Sequence, residues 1–263
     1  MKCVLALAFG LLLYSAAAMT SEVDRRGPYG SGKTLDPAQI TYFPAANSTG
    51  IGVLVCPGGG YIRVSIAKEG YAPAEYLNRL GIDAWVLDYT TASNATAPIY
   101  PKPQNDALAA LDYIRKQKPT TKKLGIWGFS AGGHLAATTL TNPEARIDFG
   151  ILAYPVITLE GKYTHVGSRD NLIGANATTE EQSKLSAQNL VSVTTPPTFL
   201  FHTSNDASVP VQNTYLFADA MAAHERLAQV LVLPNGGHGL GLALDNPVLS
   251  WTPELTRFLK YSI

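Results

Sequence analysis

The chain has 263 residues, with 20 Lys+Arg against 20 Asp+Glu for a formal net charge of +0, 46% hydrophobic and 15% charged residues. That apolar content supports a large core and argues against a disordered chain, and the length suits one large α/β domain. The charge balance, with no long basic run, excludes a polyanion binder, so no nucleic-acid partner is expected.

At the start, Lys2 supplies a positive charge, Val4 to Ala18 is nearly all apolar, and Ala16, Ala17 and Ala18 offer a small-residue cleavage site. This pattern predicts a secretory signal peptide over 1–18 and a secreted mature domain over 19–263. The apolar run is shorter than the roughly 20 residues that span a bilayer, so no membrane anchor is expected after signal removal. Cys3 leaves with the signal and Cys56 stands alone in an apolar run, so no intrachain disulfide is expected; Cys56 reads as a small buried hydrophobe. Sequons at Asn47, Asn94 and Asn176 lie in polar stretches and are candidate glycosylation sites, although chance alone would give about two.

Thr20 to Pro37 is polar and glycine-rich and reads as an irregular lead-in. Within it, Gly27-Pro-Tyr-Gly-Ser-Gly-Lys-Thr34 matches a phosphate-binding loop letter for letter. Such a loop needs a buried strand before it and a helix after it, and neither is predicted, so nucleotide binding is rejected. No Cys/His spacing suits zinc and no Asp-rich calcium loop occurs, so neither metal nor cofactor is expected.

Gln39 to Pro44 then reads as an edge strand and Ile51 to Cys56 as a buried one. From there apolar runs alternate with helical patterns. Helices are predicted at 72–80, 104–117 and 131–140, and strands at 82–89, 123–127 and 149–154. A polar excursion covers 156–195. Beyond it come a strand at 198–202, a helix at 211–224, a strand at 229–233 and a helix at 248–261. The alternation implies a mostly parallel central sheet with helices on both faces. Active groups in such a sheet gather beyond the carboxyl ends of the strands.

Several motifs meet that demand. Gly128-Phe-Ser-Ala-Gly-Gly133 lies between a strand and a helix, the context of a nucleophile elbow, which makes Ser130 the candidate nucleophile. Cys56-Pro-Gly-Gly-Gly-Tyr61 follows the strand that begins at Ile51. Either it is a plain glycine turn, or the N–H groups of Gly59 and Gly60 join that of Ala131 as an oxyanion hole. Tyr61 lines an acyl pocket or is a core aromatic; the residue types leave both open.

Of the five histidines, His238 follows the last strand in a glycine-rich loop and is the candidate base. His134 and His224 sit in helices, His202 in a strand and His165 in the excursion. The acid that orients the base is expected at Asp206, after the strand ending at His202, with Asp170 as fallback. Asp83 and Asp88 flank a strand and read as structural or surface carboxylates.

On these residues the chain resembles the small carbohydrate esterases of the α/β-hydrolase superfamily, acetylxylan-esterase-like. The resemblance is carried by Val55-Cys-Pro-Gly-Gly-Gly-Tyr61, Lys68-Glu-Gly70, Gly128-Phe-Ser-Ala-Gly-Gly-His-Leu135, Thr195-Pro-Pro-Thr-Phe199, Asp206 with Val209-Pro210, and Gly236-Gly-His-Gly239. Pro57 stands where the related hormone-sensitive-lipase group has a histidine. The resemblance implies an α/β-hydrolase fold with a minimal cap and removal of short acyl groups, typically acetyl, from a sugar or polysaccharide such as acetylated xylan.

The expected reaction is therefore serine-dependent ester hydrolysis by Ser130, His238 and Asp206. The short excursion implies an open site suited to a short acyl group on a bulky alcohol. Other small-molecule carboxylesterases, formamidases and peptidases share this fold and stay as alternatives. A catalytically silent binding module would be marked by loss of a triad member, and all three are present.

Overall fold

The computed structural model of the chain describes residues 26–28, 39–118 and 120–263. The signal-peptide reading, Cys3 and most of the rejected phosphate-loop match lie outside them.

The described residues build one twisted sheet of eight strands: β1 Arg26–Pro28, β2 Gln39–Phe43, β3 Ile51–Cys56, β4 Asp83–Asp88, β5 Lys123–Phe129, β6 Phe149–Ala153, β7 Thr198–Thr203 and β8 Ala228–Leu233. Their spatial order is β1-β2-β4-β3-β5-β6-β7-β8. β2 runs antiparallel to β1 and β4, and the other pairings are parallel. The fold is that of an α/β-hydrolase. Two readings are corrected at its first edge. Gln39 to Phe43 is not the outermost strand, because Arg26–Pro28, placed by sequence in an irregular lead-in, pairs outside it. A three-residue strand is too short to leave a periodic pattern.

Side chains alternate between the two faces as a period of two requires. Leu54, Trp85, Ile126, Leu152 and Leu200 pack on one face against helices α2 Lys102–Gln117, α3 Ser130–Leu140 and α6 Gln212–Ala223. Val53, Val86, Trp127, Ile151 and Phe199 pack on the other against α1 Ala72–Arg79 and α7 Thr252–Tyr261. Both faces are thus covered, which is why the central strands are apolar throughout instead of alternating with polar residues.

The excursion folds as two short helices, α4 Val166–Ile173 and α5 Thr179–Leu185, with single 3-10 turns around them. The last helix starts at Thr252, four residues later than its apolar pattern suggests. Asn246 Oδ1 accepts from the N–H groups of Val248 and Leu249, a side-chain turn that competes with helical bonding there.

The register aligns the carboxyl ends of the strands. Cys56 pairs with Gly128, Phe129 with Ala153, and Thr203 with Leu233. The loops after β3, β5, β6, β7 and β8 therefore leave the sheet along one edge. The strand order reverses between β3 and its neighbours β4 and β5, the switch point where such sheets open a crevice.

Candidate active site

Ser130 sits on the turn from β5 into α3 with φ 52, a left-handed conformation that L-residues rarely adopt outside constrained sites. The flanking glycines are a steric requirement. A Cβ on Gly128 would lie 2.2 Å from the Gly132 carbonyl oxygen, and a Cβ on Gly132 would lie 2.2 Å from the carbonyl oxygens of Cys56 and Pro57. Strand, helix and glycine loop can approach this closely only without those side chains, and the approach carries Ser130 to the sheet edge.

There Ser130 Oγ lies 2.7 Å from His238 Nε2, and His238 Nδ1 lies 2.7 Å from Asp206 Oδ2. The three groups come from the loops after β5, β7 and β8. Asp206 is buried and ionised. Burial alone would raise its pKa, but hydrogen bonds from His202 and His238 and the Val209 N–H outweigh that and hold it well below the usual carboxylate range. Its Oδ1 accepts from Ser208 N and Val209 N, both at 2.9 Å. With Asp206 an anion, His238 donates from Nδ1, which leaves Nε2 as acceptor for the Ser130 hydroxyl proton.

His202 was legible only as a strand residue. The structure buries it fully, with Nε2 2.9 Å from the Val209 carbonyl and 3.3 Å from Asp206 Oδ2, and Nδ1 2.8 Å from Thr214 Oγ1. It thus approaches the same carboxylate oxygen as His238. Asp170, the fallback acid, pairs instead with Arg169 at 2.8 Å.

The glycine loop after β3 lies directly against the elbow, because a Cβ on Gly58 would be 2.8 Å from Ser130 Cβ. Gly59 and Gly60 both have positive φ, 133 and 66, and the N–H groups of Gly59, Gly60 and Ala131 have no hydrogen-bond partner among the described residues. The loop that carries two of these unpaired donors thus touches the elbow through Gly58.

Glu69 holds this loop from behind. It is buried, its Oε2 accepts from Gly58 N at 2.9 Å, and its Oε1 accepts from the Tyr154 hydroxyl at 2.7 Å. That hydroxyl in turn accepts from Gly241 N at 2.8 Å, and the Tyr154 ring packs edge-on to His238 with centroids 5.2 Å apart. Sequence reasoning missed both residues. The only signal for Glu69 was its place in Lys68-Glu-Gly70, and for Tyr154 its position just beyond a strand.

Tyr61 is a core aromatic and not a pocket wall. Its ring is fully buried against Tyr89, and its hydroxyl lies 2.9 Å from His134 Nδ1. The positive φ of 58 at Tyr61 turns its side chain inward as the chain leaves the glycine run. Burial pushes the His134 pKa down to about 4, so it serves as a neutral packing residue. Cys56 is buried with its thiol pKa raised by burial. Asp83 is structural, accepting from Tyr42, Ala45 N and Ser48 and pairing with Lys118. Asn47, Asn94 and Asn176 are exposed.

Comparison with known proteins agrees with the fold. A model of the prolyl oligopeptidase family matches residues 101–263. Among curated relatives, the chain is 39% identical over 217 residues to endo-1,4-beta-xylanase B of Butyrivibrio fibrisolvens, covering 76% of this chain and 34% of the relative. It is 32% identical over 211 residues to acetylxylan esterase of Xylanibacter ruminicola, covering 78% of this chain and 44% of the relative. The chain thus spans less than half the length of these two relatives. A solved structure, the acetyl ester-xyloside bifunctional hydrolase of Caldicellulosiruptor lactoaceticus, superposes with a TM-score of 0.77 at 32% identity, covering 89% of this chain and 93% of that one. The chain belongs to the prolyl oligopeptidase family of α/β-hydrolases, as an acetylxylan-esterase-like member.

Proposed function

We propose that this chain is a serine carboxylic ester hydrolase that removes short acyl groups, chiefly acetyl, from a sugar or polysaccharide such as acetylated xylan. The observation that carries the chemistry is the continuous line Ser130 Oγ, His238 Nε2, His238 Nδ1, Asp206 Oδ2, with both hydrogen bonds at 2.7 Å. The substrate class rests on the likeness to acetylxylan esterase and the acetyl ester-xyloside hydrolase.

Ser130 attacks the acyl carbon as His238 takes its proton at Nε2, and Asp206 balances the imidazolium that forms. The tetrahedral oxyanion is met by the N–H groups of Gly59, Gly60 and Ala131, a reading supported by their lack of other partners among the described residues and by the contact of Gly58 with Ser130. His238 then protonates the leaving alkoxide. Water, deprotonated by the same nitrogen, releases the carboxylic acid and restores Ser130. Secretion and glycosylation at Asn47, Asn94 and Asn176 belong to the same reading. They rest on the signal-like pattern of 1–18 and on the exposure of the three asparagines.

The test is product analysis on acetylated xylan beside a panel of simple esters of increasing acyl length and a prolyl peptide. Release of acetate from the xylan, with rates falling as the acyl chain lengthens, is expected. A preference for long acyl chains, or cleavage of the peptide in place of the esters, would overturn the reading.

A further inference from the structure

The segment bearing α4 is docked on the glycine loop. Asn171 Nδ2 donates to the Gly60 carbonyl at 2.8 Å, and the main chain of Ile99 and Tyr100 bonds to the carbonyls of Asn171 and Leu172. At the start of that helix stands His165, a residue the triad does not use. Its Nδ1 accepts from Ser168 N at 3.2 Å and lies 2.7 Å from Ser168 Oγ. A nitrogen that accepts from a backbone N–H carries no proton, so the ring proton of His165 is on Nε2. Nε2 has no hydrogen-bond partner among the described residues.

The ring is also well placed. His165 Cε1, bonded to that nitrogen, lies 3.9 Å from where a side chain on Gly60 would begin. Burial first, and then the neighbouring charge of His238, hold its pKa below the ordinary imidazole value, against an opposite pull from Asp206. A neutral, half-buried donor of fixed tautomer therefore stands beside Gly60 and within electrostatic reach of His238. His238 must protonate the leaving oxygen, so a group near both residues is suited to meet the alcohol of the ester.

We infer that His165 donates a hydrogen bond from Nε2 to a free hydroxyl of the leaving alcohol, on a carbon next to the one that bears the ester, and so selects acetates of sugars and other polyols over those of simple alcohols. This inference rests on the deacetylase reading above. It names the group that recognises the sugar.

The experiment compares kcat/KM on acetylated xylobiose and on ethyl acetate for wild type, His165→Ala and His165→Asn. Asparagine keeps an oxygen to cap α4 through Ser168 N but is too short to deliver the donor, so it separates recognition from helix stability. Both variants should lose about tenfold on acetylated xylobiose, the worth of one neutral hydrogen bond, and change less than about twofold on ethyl acetate. An equal loss on both esters, or no loss on the sugar ester, overturns the inference while the deacetylase reading stands. Wild-type enzyme that cleaves ethyl acetate and leaves acetylated xylobiose intact overturns that reading, and the inference with it.

Discussion

Tyr154 donates its hydroxyl to Glu69 at 2.7 Å, and this one bond ties together the loops on either side of the nucleophile. Glu69 anchors the glycine loop through Gly58 N, while Tyr154 packs on His238 and receives Gly241 N from the loop that carries it. Neither residue touches the hydroxyl of Ser130. Both set the distances that the chemistry needs.

Glu69→Gln tests that role. The amide replaces one of two buried acceptor oxygens with a donor, leaving either Gly58 N–H or the Tyr154 hydroxyl facing another donor. Loss of such a buried partner costs about 1–3 kcal/mol, and kcat should fall about tenfold or more as the oxyanion donors shift. Denaturant unfolding together with ester kinetics reads both effects. Wild-type values in both would remove Glu69 from this role.

Steric demand at the elbow gives a second expectation. Gly132→Ala forces a Cβ to within 2.2 Å of two backbone carbonyl oxygens and should cost about 3 kcal/mol or more. Gly237→Ala, where a Cβ meets nothing within 4 Å, should change stability by no more than about 0.5 kcal/mol. Similar melting temperatures for the two variants would contradict the close approach of strand, helix and glycine loop.

Asp206 predicts the acid limb of stability. Its folded pKa is depressed below the unfolded value of about 3.9, so its stabilisation is complete above that value and is lost as pH falls through the folded one. Asp206→Asn has no such proton to take up. The variant should be less stable than wild type near neutrality, and the gap should narrow as pH drops below about 4. Parallel stability curves for the two proteins through that range would show that the carboxylate is not held in this way.

The legible part of the site is the part set by local sequence. Gly128 to Gly133 announces a turn because glycine is needed where backbones touch, Gly236 to Gly239 because Gly236 and Gly239 take positive φ, and strand and helix periodicity places those turns at one sheet edge. Asp206 follows from chain order once Ser130 and His238 are assigned. Glu69, Tyr154 and His202 were not legible because their meaning is relational. Tyr154 reaches a carboxylate 85 residues away in sequence, and no window along the chain contains both. Tyr61 was open between pocket and core beside the glycine run, and only the folded chain decides it, its backbone conformation turning the ring into the core. The start of α7 was misplaced because the apolar pattern continues through the turn that Asn246 holds.

The chemistry depends most directly on Ser130 being activated by His238. The decisive measurement is labelling with a fluorophosphonate probe, followed by peptide mapping and comparison of labelling rates. Wild-type protein should carry one adduct, on Ser130, and His238→Ala should label at least about 10³-fold more slowly while remaining folded. An adduct on another serine, or labelling of Ser130 at the wild-type rate without His238, would contradict it.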